Sequence, residues 1–544
     1  MKPIMRRVLA VPAVVLAAAT VATVAAAPPA YASTVVVSTT ADVVNAGDGL
    51  ISLREAVNTA NAAAGATTIQ LSAATYQLST CGADEDANAN GDLDFVPAKV
   101  LTIDGNGATI QQTCRNRRIV QALGAGGGLI ITDATLTGGS GSQGAAIAYN
   151  GGDVDLTGVT VSGNNAGTGR VIGSLGPDTG ATLDIVDSTI GPNTGTGVHI
   201  SFGTVTIVDS TISDNTERGV GLIDGALSAS GSTISNNGAG GVSTTGQGNG
   251  VFTLTDTVVQ DNGGTGVVCS NCGDLVVSGA TITGNHPTGA DNGGGIAVIL
   301  DLDQPTDALS VSVTDSTVSG NARIGAGGGL AVTVSEDTGE AATTQITITR
   351  STFSANTTTN TSAGADGRGG GISAKSGELR VDNSTITGNV ASAGGGGVYT
   401  STGDIYLRHA TIAGNTATTG TNVATGEDLH AFASIVAGGL GGGIGCWIAG
   451  TTISTGYNFS GDASCVFIEG SGDVNNGGDP QLGALANNGG PTQTRLPAAA
   501  GPVAGLLPAA ACNVFGTDQR GLARPQGTNC EPGAAEIIEG RRRR

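Results

Sequence analysis

Val205-Thr206-Ile207-Val208-Asp209-Ser210-Thr211-Ile212-Ser213-Asp214-Asn215 holds the pattern that decides the fold. Its kernel is small–Thr–aliphatic–x–x–Asn. The aliphatic position recurs as Leu136, Val161, Ile190, Ile212, Ile234, Val259, Ile282, Val318, Phe353, Ile386 and Ile412. Thr precedes it in every copy but one, where Val258 stands. Asn follows three residues later, from Asn164 through Asn415, with Gly139 as the exception. Successive copies lie 22 to 36 residues apart. A repeat of that period, unable to bury its apolar face alone, implies a stacked solenoid.

Each repeat has three short segments. A Gly-rich turn leads into an apolar strand, as in Gly293-Gly294-Gly295-Ile296 and Gly369-Gly370-Gly371-Ile372. A second strand alternates, as in Val205 to Val208, and the third is the Ser-Thr-Ile strand. Three strands per repeat with no helix between them predict one coil of an all-β, right-handed parallel β-helix. Strand alternation places Ile212 inward and Thr211 outward. The asparagines then stack at one corner, where left-handed φ and amide-to-amide bonds between coils are expected of them. Leucine-rich repeats are excluded because Leu-x-x-Leu-x-Leu is absent. Eleven coils at strand spacing span roughly 50 Å.

Composition agrees. Gly is 92 of 544 residues, charged residues are 12% and aromatics 3%. That is too little charge for a disordered tract, and Gly lacks the strict third position of collagen. Gly, Thr, Ser and Val all have low helix propensity.

Lys2, Arg6 and Arg7, the apolar run Val8 to Ala27 and the small-x-small end Ala30-Tyr31-Ala32 predict a secretory signal peptide over 1–32. No other segment has the roughly 18 apolar residues needed to cross a bilayer, so no transmembrane segment is expected after signal removal. Without Lys2, Arg6 and Arg7, 20 basic residues face 44 acidic ones, a net charge of -24. Such a surface repels nucleic acid and anionic lipid and attracts divalent cations. Eight cysteines, all downstream of the signal, suit oxidising export. Proximity suggests Cys81–Cys114, Cys269–Cys272, Cys446–Cys465 and Cys512–Cys530.

The ends differ from the repeats. Ser52-Leu53-Arg54-Glu55 is a capping box, and Leu53, Ala56, Val57 and Ala60 share one helical face. A helix there can cover the apolar end of the first coil. The expected layout is a cap over 33–98, coils over 99–470 opening at Leu101-Thr102-Ile103, a C-terminal region over 471–540 and a basic tail over 541–544.

Asp48-Gly49-Leu50-Ile51-Ser52-Leu53-Arg54-Glu55-Ala56, with Asn58 and Asn61, resembles the CSLREA domain of exported bacterial proteins; Ile51 stands where that family has Cys. Asp479-Pro480-Gln481-Leu482-Gly483, Asn488-Gly489-Gly490-Pro491-Thr492, Thr517-Asp518-Gln519-Arg520-Gly521 and Gly533-Ala534-Ala535-Glu536 resemble the choice-of-anchor Q domain. The Asn corners and Gly-Gly-Gly-Ile turns between them are similar to polymorphic outer-membrane protein repeats. These resemblances imply an exported, surface-associated β-helix, mostly of undefined activity; the role expected of this chain is structural or adhesive. Extracellular polysaccharide or cell-envelope components are the expected partners.

Asp86-Ala87-Asn88-Ala89-Asn90-Gly91-Asp92-Leu93-Asp94 carries oxygens at alternate positions with Gly sixth, as in the first half of an EF-hand loop. Asp86, Asn88, Asn90, Asp92 and Asp94 are therefore candidate Ca2+ ligands. Pro97 stands at the twelfth position, where such a loop needs Glu, and the competing reading is a solvated acidic turn. A pectate-lyase-like enzyme is the alternative function. Its candidates are Asp301, Asp303, Glu336 and Asp337 for cation-bridged carboxylates and Arg350, Lys375, Arg380 and Arg408 for the base. Hydrolase signatures are absent. The outward pairs Thr135/Thr137, Thr211/Ser213, Thr281/Thr283 and Thr385/Thr387 suggest, by analogy alone, an ice-binding solenoid. Arg115, Arg117 and Arg118 form a basic cluster, read as a loop.

Overall fold

A computed structural model describes residues 32–82, 85–96, 99–123, 126–176, 180–246, 250–286, 294–300, 309–334, 344–359, 366–467 and 471–538. All but the last residue of the expected signal peptide, the basic tail, Pro97, Asp301, Asp303, Glu336 and Asp337 lie outside these residues.

Three parallel strands make each coil, as in Thr204–Val208, Thr211–Ser213 and Arg218–Ile223. The first two kinds run in a 29-stranded sheet and the third in a 14-stranded sheet. The chain is a right-handed parallel β-helix of about 13 coils with almost no helix. The register follows the repeat: Thr189, Thr211 and Thr233 lie in one column, and Ile190, Ile212 and Ile234 in the next. All eleven aliphatic positions, Leu136 to Ile412, are buried at 0% exposure. Each contributes about 1.5–3 kcal/mol of transfer free energy.

The Asn corner is a continuous amide ladder. From Asn164 to Asn415 each Nδ2 donates to the Oδ1 of the next asparagine at 2.9–3.1 Å. The same oxygens accept backbone N–H groups, as when Asn193 Oδ1 accepts from Asn164 N at 3.0 Å. One expectation is corrected. The ladder asparagines do not have left-handed φ; the residue before them does, at Asp214 (φ 57°), Asn236 (55°) and Asp261 (53°). The strain falls one residue early, which leaves each amide free to aim inward. The ladder ends by substitution. The next coil places Gly439 at this corner, and Asn422 supplies the amide that receives from Asn415 at 3.0 Å. A Cβ on Gly439 would come within 1.8 Å of Thr421 Oγ1, so only glycine fits.

A second corner uses hydroxyls. Asp187, Asp209 and Asp315 turn with positive φ, and the serine after each stacks on its neighbours. Ser188 N donates to Ser210 Oγ at 3.0 Å, and Ser210 N to Ser232 Oγ at 3.1 Å.

Helix α1, Leu53–Ala62, has the expected capping box: Ser52 Oγ accepts from Glu55 N, and Glu55 Oε2 accepts from Ser52 N at 2.8 Å. Its buried face includes Leu53, Ala56, Val57 and Ala60, packed on strands Thr67–Gln70 and Leu93–Phe95. The parallel sheet begins ahead of Leu101, because Ser33–Val36 pairs with Thr67–Gln70, which pairs with Val100–Gln112. The four proximity disulfides are all formed.

The C-terminal segment runs back along the outside as a strap. Gln519 bridges two consecutive coils of the threonine face: its Oε1 accepts from Thr385 Oγ1 at 2.6 Å and its Nε2 donates to Thr352 Oγ1 at 2.9 Å. Ala534 N donates to Thr411 Oγ1 at 2.9 Å, and Arg524 donates to Asn383 Oδ1 at 3.1 Å. The threonine column is half-exposed from Thr160 through Thr317 and buried at Thr352, Thr385 and Thr411. Among the described residues no helix is long and apolar enough to cross a membrane.

Candidate functional site

The acidic loop packs under α1. Asn88, Asp92 and Asp94 are buried, while Asp86 is exposed and accepts from Gln121 Nε2 at 3.0 Å. Asn88 Nδ2 donates to Arg54 O and to Asn58 Oδ1. Among the described residues, Asp86, Asp92 and Asp94 do not bring three carboxylate oxygens within 4.8 Å of one another. Two of the five expected ligands are asparagines, and of the set Asn90 Oδ1 and Asp94 Oδ1 are buried without a hydrogen-bond partner. Arginine side chains pack against the loop. Arg54 Nε and Nη2 bind Asp42 at 2.7 and 3.2 Å, and its remaining donors reach Asn88 Oδ1, Asp92 O and Gly91 O. Arg118 Nε lies 3.5 Å from Asp92 Oδ2, and Arg117 donates to Gly82 O at 2.6 Å. Of the basic cluster, Arg118 thus supplies counter-charge to the acidic loop. Burial, then the neighbouring Asp92 charge, pushes the Asp94 carboxyl up to about 8.

The three arginine candidates for the lyase base are engaged. Arg350 makes a two-pronged pair with Asp315, at 2.7 and 2.6 Å, one coil back. Arg408 pairs likewise with Asp382 and lies over the Phe515 ring of the strap at 4.8 Å. Arg380 pairs with Glu378 and covers the Tyr406 ring at 4.5 Å. These guanidiniums hold stacked coils together.

Sequence reasoning missed an outward column formed by register alone. Arg380, Tyr406 and His430 are successive partners on the alternating strand. The Tyr406 and His430 rings stack at 4.2 Å with 9° between planes. Asp404 and Asp428 flank them, and the acidic atoms and the imidazole lie within 4.8 Å of one another. Burial, then the Glu378 and Asp404 charges, raises the Tyr406 phenol above its ordinary value. The signal was the Asp-x-Tyr and Asp-x-His pair at 404–406 and 428–430, 24 residues apart.

His409 is a buried group under the strap. Neither ring nitrogen has a hydrogen-bond partner, and Phe432 and Phe515 meet it edge-on at 5.5 and 6.0 Å. Burial first, then Arg524 and Arg408, lowers its pKa well below the usual imidazole value. Its neighbouring carboxylates, Asp382 and Glu536, are already bonded to those two arginines. The unfolded chain therefore binds this proton more readily than the folded one. The associated stability is present above the unfolded pKa of about 6.5 and is lost as pH falls, by up to about 1.4 kcal/mol per pH unit. His409→Asn, which tolerates the positive φ of 50°, is expected to flatten this part of the slope between pH 7 and pH 5 in urea titrations. An unchanged slope would remove His409 from the acid response.

The sequence matches the family described as the right handed beta helix region over residues 144–304. The comparison with curated proteins gives no match. Among solved structures, the crystal structure of pectate lyase Pel9A is similar, with a TM-score of 0.31 and 14% identity, over 62% of this chain and 79% of that one.

Proposed function

We propose that this chain is an exported, cell-surface β-helix that serves as a structural or adhesive element and holds extracellular polysaccharide or another cell-envelope component on its outer faces. The observation that carries this reading is the pairing of Arg350, Arg380 and Arg408 with Asp315, Glu378 and Asp382. A lyase needs a basic group able to take an α-proton, and a guanidinium bonded to a carboxylate on the same scaffold is tied to structure instead. Four disulfides support an oxidising destination. The resemblances to the CSLREA domain, the choice-of-anchor Q domain and polymorphic outer-membrane protein repeats support the same reading.

The test is incubation with pectin, alginate and glycosaminoglycans, with and without Ca2+, followed by absorbance of a new carbon–carbon double bond. No increase is expected, while cell-envelope fragments are expected to retain the protein in co-sedimentation. Ca2+-dependent double-bond formation that Arg350→Ala, Arg380→Ala or Arg408→Ala abolishes, with circular dichroism unchanged, would install the lyase reading.

A further inference from the structure

Parallel stacking sets like residues directly above one another at about 4.8 Å. On one edge of the long sheet this brings Glu378, Asp404 and Asp428 into a single column, each one residue before the paired Leu379, Ile405 and Leu429. Like charges stacked this way repel. Glu378 has its own cation in Arg380. Among the described residues, Asp404 and Asp428 form no ion pair with an arginine or lysine, and their neighbour is the His430 imidazole.

Part of each carboxylate has a structural task. Asp404 Oδ1 accepts from Asp428 N at 3.2 Å, and Asp428 Oδ1 accepts from Thr451 N at 2.7 Å. The device recurs elsewhere in the solenoid, where Asp153 Oδ1 accepts from Thr182 N and Asp274 Oδ1 from Ser310 N. At those two places no imidazole joins the carboxylate. At Asp404 one does: Oδ2 lies 3.6 Å from His430 Nε2. That is too long for a hydrogen bond. It is close to the separation of two ligands sharing one ion at bond lengths of about 2.0–2.2 Å. Stacking on Tyr406 fixes the plane of the imidazole. The side chains of Asp404 and His430 keep 37% and 27% of their surface, so an ion can reach them.

We propose that Asp404, Asp428 and His430 form a binding site for a first-row divalent cation such as Zn2+. Two carboxylates and one imidazole leave a fourth position open to water or to an oxygen of a bound ligand. The ion would neutralise the stacked carboxylates and tie two consecutive coils together. This inference does not depend on the adhesive role proposed above.

The test is calorimetric titration of the whole EDTA-treated, desalted protein with Zn2+ and, separately, with Ca2+. One saturable Zn2+ site is expected, with Ca2+ much weaker because a nitrogen donor suits Zn2+ and not Ca2+. His430→Ala and Asp428→Asn should each weaken Zn2+ binding by at least about tenfold. Asp428→Asn keeps an oxygen to accept the Thr451 N–H, so its loss reports charge and ligation rather than folding. His286→Ala, at an exposed histidine on another coil, should bind as wild type. No saturable Zn2+ binding, Zn2+ binding that survives both variants, or Ca2+ bound as tightly as Zn2+ would each overturn the proposal.

Discussion

Ile212→Asp is expected to abolish the cooperative melting of the central coils, at a cost above about 4 kcal/mol. The side chain is fully buried between Ile190 and Ile234, its partners in the coils on either side. A carboxylate there has no donor to meet it, because the inner column is apolar from Leu136 to Ile412. It must be buried uncompensated or protonated at a large cost. Thr211→Asp is the matched control, one residue away on the half-exposed outer face. It should cost less than about 1 kcal/mol. Hydrogen exchange should show the difference locally: amides of the coils around Ile212 lose protection in the first variant and keep it in the second. Equal damage from both would mean that the inward and outward faces are exchanged.

The contrast between these two neighbours was legible in the sequence because it is a matter of period. Strand alternation and stacking act locally and repeat, so one reading of Ser210-Thr211-Ile212 applies to every coil. The Asn ladder was legible for the same reason. What periodicity cannot show is a contact made once between distant segments. Thr352, Thr385 and Thr411 carry the same pattern as Thr211, yet they are buried, because Gln519, Gln493 and Ala534 bond to them. The motif Gly533-Ala534-Ala535-Glu536 even shows why its glycine is there: a Cβ on Gly533 would come within 2.6 Å of Thr411 Oγ1. Nothing in either segment alone announces the other. The Asp404, Asp428 and His430 cluster was hidden in a different way. Its members are ordinary in sequence and converge only when 24-residue coils fall into register. In the 86–94 loop the spacing showed the oxygens but not their partners. The spacing is real, but the chain spends Asn88 on Asn58 and on the Arg54 carbonyl, and turns Asp86 outward to Gln121.

That loop depends on Arg54, whose replacement by methionine is expected to cost about 3 kcal/mol and to loosen the N-terminal cap. The guanidinium is fully buried and its five donors reach five oxygen contacts: both Asp42 oxygens, Asn88 Oδ1, and the Asp92 and Gly91 carbonyls. Methionine fills similar space but leaves the Asp42 carboxylate without its cation and removes the Arg54 donors to the Asp92 and Gly91 carbonyls, of which Gly91 O keeps Gln112 Nε2 at 3.2 Å. Two backbone N–H groups, from Ser79 and Thr80 at 2.8 Å, still hold Asp42 and keep the loss at the lower end of the range for a broken buried pair. The pH dependence gives a second reading. Burial works to raise the Asp42 carboxyl, but the Arg54 guanidinium and those N–H groups outweigh it and hold the pKa below its usual value. A depressed carboxylate contributes stability that is present above the unfolded pKa of about 3.9 and lost as pH falls through the folded one. Arg54→Met should therefore lose most against wild type near neutral pH and approach it in acid. A loosened α1 uncovers the parallel edge that starts at Ser33–Val36, and a free edge invites pairing with another chain. Size-exclusion chromatography should accordingly show higher oligomers of the variant at pH 7. A variant that stays monomeric and melts within about 1 kcal/mol of wild type would mean that the cap is held by its apolar face alone, with the guanidinium network incidental to it.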